Sequence, residues 1–78
     1  MKEKNWYVVE EYYFNKYDEQ HFKYESEEAA REAIKMHLWY TLKVFKEVGA
    51  KLVRYSLKDT DALAIFSDGY VKVYVAEI

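Results

Sequence analysis

Residues 62–76 read ALAIFSDGYVKVYVA, and the fold turns on how this stretch is paired. Two β-rich runs flank Asp68-Gly69, the strongest short hairpin signal in the chain. A two-residue turn there predicts Phe66 opposite Val71, Ala64 opposite Val73 and Ala62 opposite Val75. The run before it, Lys51 to Lys58, also alternates, and Asp59-Thr60-Asp61 supplies its turn. That second turn sets Leu57 against Ala62, Tyr55 against Ala64 and Val53 against Phe66. Directly opposite residues share a face. One face therefore carries Val53, Tyr55, Leu57, Ala62, Ala64, Phe66 and the three valines, with two small alanines that leave room for a helix to lie close.

The other face follows from the same register. It carries Leu52, Arg54, Ser56, Leu63, Ile65, Ser67, Tyr70, Lys72 and Tyr74, with Leu63 expected opposite Tyr74 and Ile65 opposite Lys72. No second helix is available to cover it. An apolar, tyrosine-rich sheet face left open points to association or ligand binding.

The helix lies upstream. Ser26 before Glu27-Glu28 is an N-cap followed by acids at the positive end of the helix dipole. Ala30, Ile34, Leu38, Thr41, Phe45 and Val48 then fall on one line at helical spacing, flanked by His37, Leu42 and Val44. Gly49 ends the pattern as a left-handed residue. A helix over about 27–48 is about 33 Å long, enough to cross a small sheet. Met36 and Trp39 project from its back.

The first strand is the hardest to place. Residues 6–14, WYVVEEYYF, put Trp6, Val8, Glu10, Tyr12 and Phe14 on one side and Tyr7, Val9, Glu11 and Tyr13 on the other. Whichever side meets the helix, a glutamate falls near its middle. A bulge at Glu10-Glu11 that turns both carboxylates outward is the expected remedy. Asn15 to Glu19 reads as a loop of roughly five residues, and Gln20 to Glu25 as the returning strand, with Phe22 and Tyr24 on one side and His21 and Lys23 on the other. The expected architecture is a single α+β domain of order β-β-α-β-β-β: a mostly antiparallel sheet with one long helix on one face.

Composition bounds the function classes. The chain has 78 residues, no cysteine, no proline and two glycines, with 51% apolar and 19% aromatic content. Without disulfides or a thiolate metal site, stability must come from burial, and so short a chain favours dense packing or a second copy covering one face. The start, Met-Lys-Glu-Lys-Asn, lacks the apolar core of a signal peptide, and no apolar run approaches the ~18 residues that span a bilayer. Cytoplasmic residence without a membrane partner is the default expectation.

Catalytic, cofactor and metal sites are not expected. The serines, Ser26, Ser56 and Ser67, sit in no strand-to-helix elbow, and two isolated glycines make no phosphate loop. His21 reads as a solvent-facing hairpin residue, and a site joining it to Glu10 or Glu11 is the weaker alternative. His37 reads as a hydrogen-bonded, half-buried helix residue. Asp59, Asp61 and Asp68 read as turn residues, since the glycine and bidentate glutamate of a calcium loop are missing.

What remains is a small non-enzymatic protein-interaction module of adaptor or inhibitor type, with self-association as a homodimer through the open face as one form. Its expected contact residues are Arg54, Leu63, Ile65, Tyr70, Lys72 and Tyr74 on the open sheet, and Met36 and Trp39 on the helix back. Glu10 and Glu11 join Asp18, Glu19, Glu25, Glu27 and Glu28 as an acidic surface for a basic groove. Single-stranded nucleic acid stacking on Tyr70, Tyr74 and Arg54 is the alternative, against which stands a net charge of −2. A small enzyme or metal-binding domain is the distant third.

Overall fold

The computed structural model describes residues 5–77. It contains β1 (Trp6–Tyr13), β2 (Tyr17–Tyr24), α1 (Glu27–Glu47), β3 (Leu52–Leu57), β4 (Asp61–Phe66) and β5 (Gly69–Glu77). The five strands form one sheet in the order β2-β1-β5-β4-β3, and every neighbouring pair is antiparallel. The β-β-α-β-β-β expectation holds, with α1 packed across one face. Met1–Lys4, which carry most of the stretch compared above with a signal peptide, lie outside the described residues. Among the described residues, no helix is long and apolar enough to cross a membrane.

The helix ends as its sequence dictates. The Ser26 hydroxyl accepts the Ala29 N–H at 3.1 Å, with Glu27 and Glu28 in the first turn. At the other end Gly49 takes φ +91°, a conformation that costs a residue with a Cβ. Its N–H donates to the Lys46 carbonyl and the Ala50 N–H to the Phe45 carbonyl, which closes the last turn as a Schellman motif.

The core lies between α1 and the inner sheet face. Val8, Ala30, Ala33, Ile34, Leu38, Ala62, Ala64, Phe66, Val71 and Val73 form it. Ala62 and Ala64 admit the helix as expected, and Phe14, Phe45 and Phe66 stack at one end with ring centroids 4.6–5.7 Å apart.

Four details depart from the sequence reading. First, Phe66 pairs with Gly69, so the tight turn is Ser67-Asp68 rather than Asp68-Gly69. Ala64 then meets Val71 and Ala62 meets Val73, a shift of two residues that preserves the faces. Leu63 consequently faces Lys72, and Ile65 faces Tyr70. Gly69 is required for a different reason. A Cβ there would run into the Tyr13 carbonyl oxygen and lie 2.6 Å from the Phe14 ring. Its glycine serves the close passage of β1 against the hairpin, not a left-handed turn.

Second, Tyr13 pairs with Tyr17, and the first loop is only Phe14-Asn15-Lys16, closed by Asn15 at φ 72°. Asparagine tolerates that region and ends the loop early. Third, β1 pairs without a register shift on both sides from Trp6 to Tyr13, so there is no bulge at Glu10-Glu11. Glu11 points to the open face, whereas Glu10 points inward and is 3% exposed. Fourth, Leu52 rather than Val53 pairs with Phe66, because β3 carries an extra residue between Leu52 and Arg54. All six β3 residues are exposed, since α1 lies over the middle of the sheet and leaves this edge largely uncovered. The helix covers the expected face of β4 and β5 but not of β3.

Candidate functional groove between helix and hairpin

The inward Glu10 needs a partner, and α1 supplies one. His37 occupies the flank of the buried helix stripe, directly over β1. Its Nδ1 bonds Glu10 Oε2, and its Nε2 lies 2.7 Å from the Tyr24 hydroxyl. The Tyr12 hydroxyl donates to Glu10 Oε1. The Thr41 hydroxyl, one turn on, donates to the Leu38 carbonyl at 2.8 Å. Each buried polar group thus has a partner, and among the described residues no buried side-chain nitrogen or oxygen lacks one.

These groups form the floor of a groove of about 830 Å³ between α1 and the β1–β2 hairpin. The groove exists because the helix rides over the centre of the sheet and leaves the inner face of β2 uncovered. Residues four apart on α1 line up along its near wall: Met36, Tyr40 and Val44 at the mouth, with His37, Thr41 and Phe45 deeper. The opposite wall is the inner face of the hairpin, with Tyr12, Phe14, Phe22 and Tyr24. Lys16, Asp18 and Gln20 close the outer end. Phe22 packs its ring 4.7 Å from the imidazole of His37 and holds it upright. Met36 and Tyr40 are 61% and 65% exposed, so large apolar surface faces open space at the mouth.

The order carboxylate, imidazole, hydroxyl parallels that of a hydrolytic relay, but the terminal group differs in chemistry. Burial, and then the nearby Glu10 charge, raise the pKa of the Tyr24 phenol above its ordinary value. Tyr24 therefore stays protonated at neutral pH and serves as a hydrogen-bonding group rather than a nucleophile. Among the described residues, no group of three His, Asp or Glu side chains is placed to hold a metal ion.

The open sheet face gathers most of the residues singled out from sequence, in rows across the strands. One row runs Tyr17, Tyr13, Tyr70, Ile65, Arg54, and the next Glu19, Glu11, Lys72, Leu63, Ser56. The face is less bare than the sequence implied. Leu63, Ile65, Tyr70 and Tyr74 are half-buried, and Val9 beneath its neighbours is only 2% exposed. Tyr13 stacks on Tyr70 at 6.0 Å, and the Lys72 ammonium lies 5.2 Å from the centre of the Tyr74 ring.

Carboxylates organise the hydroxyls of this face. Tyr17 donates to Glu19 at 2.6 Å and to Glu11 at 2.8 Å, and Tyr74 reaches Glu11 at 3.4 Å. The bonds to Glu19 and then Glu11 push the Tyr17 phenol well above its ordinary range. Tyr17, and then His21, hold Glu19 below its ordinary value. His21 is exposed, as expected, with Nε2 3.1 Å from Glu19.

The remaining expected contact residues scatter. Met36 belongs to the groove. Trp39 leaves the other flank of α1, where its ring packs edge-on against Tyr55 of β3, 5.3 Å between centroids. Glu10 is buried and unavailable to a partner's surface, which removes it from the acidic patch. Tyr24, Tyr12, Phe22, Tyr40 and Thr41 were not singled out as site residues from sequence. Two signals together point to them: a glutamate forced onto the inner side of β1, and a histidine on the buried flank of the helix. Comparison of the chain with known protein families, characterised proteins and solved structures returned no match.

Proposed function

We propose that this chain is a small non-enzymatic binding domain whose helix–hairpin groove takes a compact, largely apolar molecule bearing one hydrogen-bonding group. The observation that carries the reading is the groove itself: about 830 Å³, walled by aromatic rings, with the Glu10–His37–Tyr24 chain at its floor. That volume and that mixture of apolar walls with few polar groups suit small-molecule sites. Glu10 and His37 satisfy each other, so Tyr24 is the member left to meet a ligand, through its second lone pair or its proton. Net negative charge is disfavoured in the ligand, because Glu10 lies at the base and only Lys16 at the rim opposes it. A protonated Tyr24, and the mutual pairing of the acid and base on the floor, support binding rather than turnover.

The test uses N-phenyl-1-naphthylamine, a neutral fused-ring fluorophore with a single N–H. Wild type is expected to enhance its fluorescence, with amide shift changes confined to α1 residues 36–45 and the β1–β2 hairpin. Met36→Arg, at the exposed mouth, is expected to abolish the enhancement without loss of fold. Tyr24→Phe removes one hydrogen bond worth about 1 kcal/mol and is expected to weaken binding several-fold. Shift changes confined to the open face would overturn the groove reading.

That outcome would favour a second reading, the protein-interaction module expected from sequence. Its specific support is the Tyr17–Tyr13–Tyr70–Ile65–Arg54 row, which crosses all five strands. Glu11 and Glu19 in the adjacent row oppose a nucleic-acid ligand on that face.

A further inference from the structure

Two strands end the sheet, and the chain treats them differently. β2 places Asp18, Glu19, His21 and Lys23 along its length, charges of the kind that discourage pairing with another strand. β3 reads LVRYSL and has one charged residue. Tyr55 is 49% and Leu57 39% exposed, although both pair with helix-side alanines of β4, and the extra residue Val53 is 64% exposed. The helix ring that reaches this edge is Trp39, set against Tyr55.

The hydrogen-bond phase of β3 shows which of its backbone groups are unused. The Lys58 N–H, just past the strand, donates to the Asp61 carbonyl at 2.8 Å. Bonded pairs recur at every second residue of an antiparallel ladder, so Ser56 and Arg54 also turn their N–H and C=O toward β4. Tyr55 and Leu57 turn theirs outward, and no described strand lies beyond them.

We infer that β3 pairs antiparallel with β3 of a second copy, about a two-fold axis at Tyr55. In that register Tyr55 faces Tyr55 of the second copy, and each Leu57 comes beside the irregularity at the other copy's Val53. Tyr55 and Leu57 carry the outward hydrogen-bonding groups, and both lie on the helix side. The two sheets become one, with both helices on the same face and two Trp39–Tyr55 ring pairs meeting at the axis. Arg54 falls beside Ser56 and Lys58 beside Leu52, so no lysine or arginine directly faces another.

Charge selects a second copy in this direction. Lys51 and Asp59 bracket β3 and are both exposed; Asp59 has 91% of its side chain bare, with its carboxylate 3.7 Å from the Arg31 guanidinium of α1. Antiparallel self-pairing brings each Lys51 toward the Asp59 of the other copy, whereas parallel pairing sets like against like. The apolar pattern Val53, Tyr55, Leu57 reads alike in both directions. The extra residue at Val53 ends regular pairing there, which keeps the contact short. A contact of this size gives a reversible, concentration-dependent dimer rather than an obligate one. It leaves the groove free and sets the two open faces side by side along their Arg54 and Ser56 ends.

Sedimentation equilibrium of the full chain from about 10 µM to about 1 mM tests the proposal, since mass action populates a weak dimer across that range. Wild type is expected to move from monomer to dimer. Leu57→Pro deletes an outward donor while sparing the bonds to β4, and is expected to raise the dissociation constant at least tenfold with unchanged circular dichroism.

A second measurement holds even if that variant misfolds. The protein has no cysteine, so a single one can be placed at will. Tyr55→Cys puts two thiols across the axis at a Cα separation of about 5.5 Å, within disulfide reach. Leu57→Cys puts them about 15 Å apart in the same register. Oxidation is expected to cross-link the first at least tenfold faster than the second. A monomer throughout the range, a dimer untouched by Leu57→Pro in a folded protein, or equal cross-linking of the two variants would overturn the inference.

Discussion

Replacing Glu10 by alanine should cost this domain as much as truncating a large buried ring on the inner face of the sheet. The carboxylate accepts from the Tyr12 hydroxyl and bonds His37 Nδ1, and both it and His37 are buried. Its removal orphans two donors at about 1–3 kcal/mol each and leaves an unfilled space beneath the helix. The expected loss is about 3–5 kcal/mol, the range for breaking one side of a buried, hydrogen-bonded pair. A chain of this length has about 4–12 kcal/mol of stability in all, so the variant should sit near its unfolding threshold. Glu10→Gln keeps the volume and one acceptor and should cost about half as much. Urea unfolding, followed by tryptophan fluorescence and circular dichroism, measures each.

The decisive comparison is a cycle. Glu10→Leu with His37→Leu removes both partners together, leaving only Tyr12 and Tyr24 to find water at the groove. Its cost should fall short of the sum of the single variants by about 2 kcal/mol or more. A loss below about 1 kcal/mol for Glu10→Ala, or a double variant whose cost equals the sum, would refute the view that Glu10 and His37 are held in place by each other.

Two further outcomes follow from the same structure. Gly69→Ala should destabilise by about 1–3 kcal/mol or more, because its Cβ meets the Tyr13 carbonyl, which is pinned in the ladder, and the Phe14 ring; a denaturation midpoint equal to wild type would contradict the close passage. Alkaline pH should weaken the fold: burial, followed by Glu10 at Tyr24 and by Glu11 and Glu19 at Tyr74, raises both phenols above their ordinary value in the folded protein. Stability from these protonated phenols is complete below the unfolded value of about 10 and is lost as pH climbs through the folded values. Urea midpoints between pH 8 and 12, beside absorbance titration at 295 nm, should fall only above that point. The fall should be smaller in Tyr24→Phe, which separates the phenol from the lysines; a midpoint that does not decline, with all tyrosines ionising together near 10, would contradict this.

The element order, the helix with its two ends, and the division of β4 and β5 into faces were legible in the residues alone. These are local or period-two properties. Ser26 and Gly49 act within a turn of themselves, and an error of two residues in the hairpin register leaves every side chain on its original side. Two alanines among valines were enough to show which side the helix would take.

The rest was not legible there, because it depends on where the helix falls across the sheet. No local pattern records that the helix lies over the middle of the sheet, yet this placement opens the groove along β2 and strips the cover from β3. It also decided Glu10. A lone glutamate facing a core must be bulged out or partnered, and both solutions fit residues 6–14 equally well. Only the meeting of β1 with the flank of α1 supplies His37, 27 residues away, and with it turns a buried charge from a liability into the floor of a site.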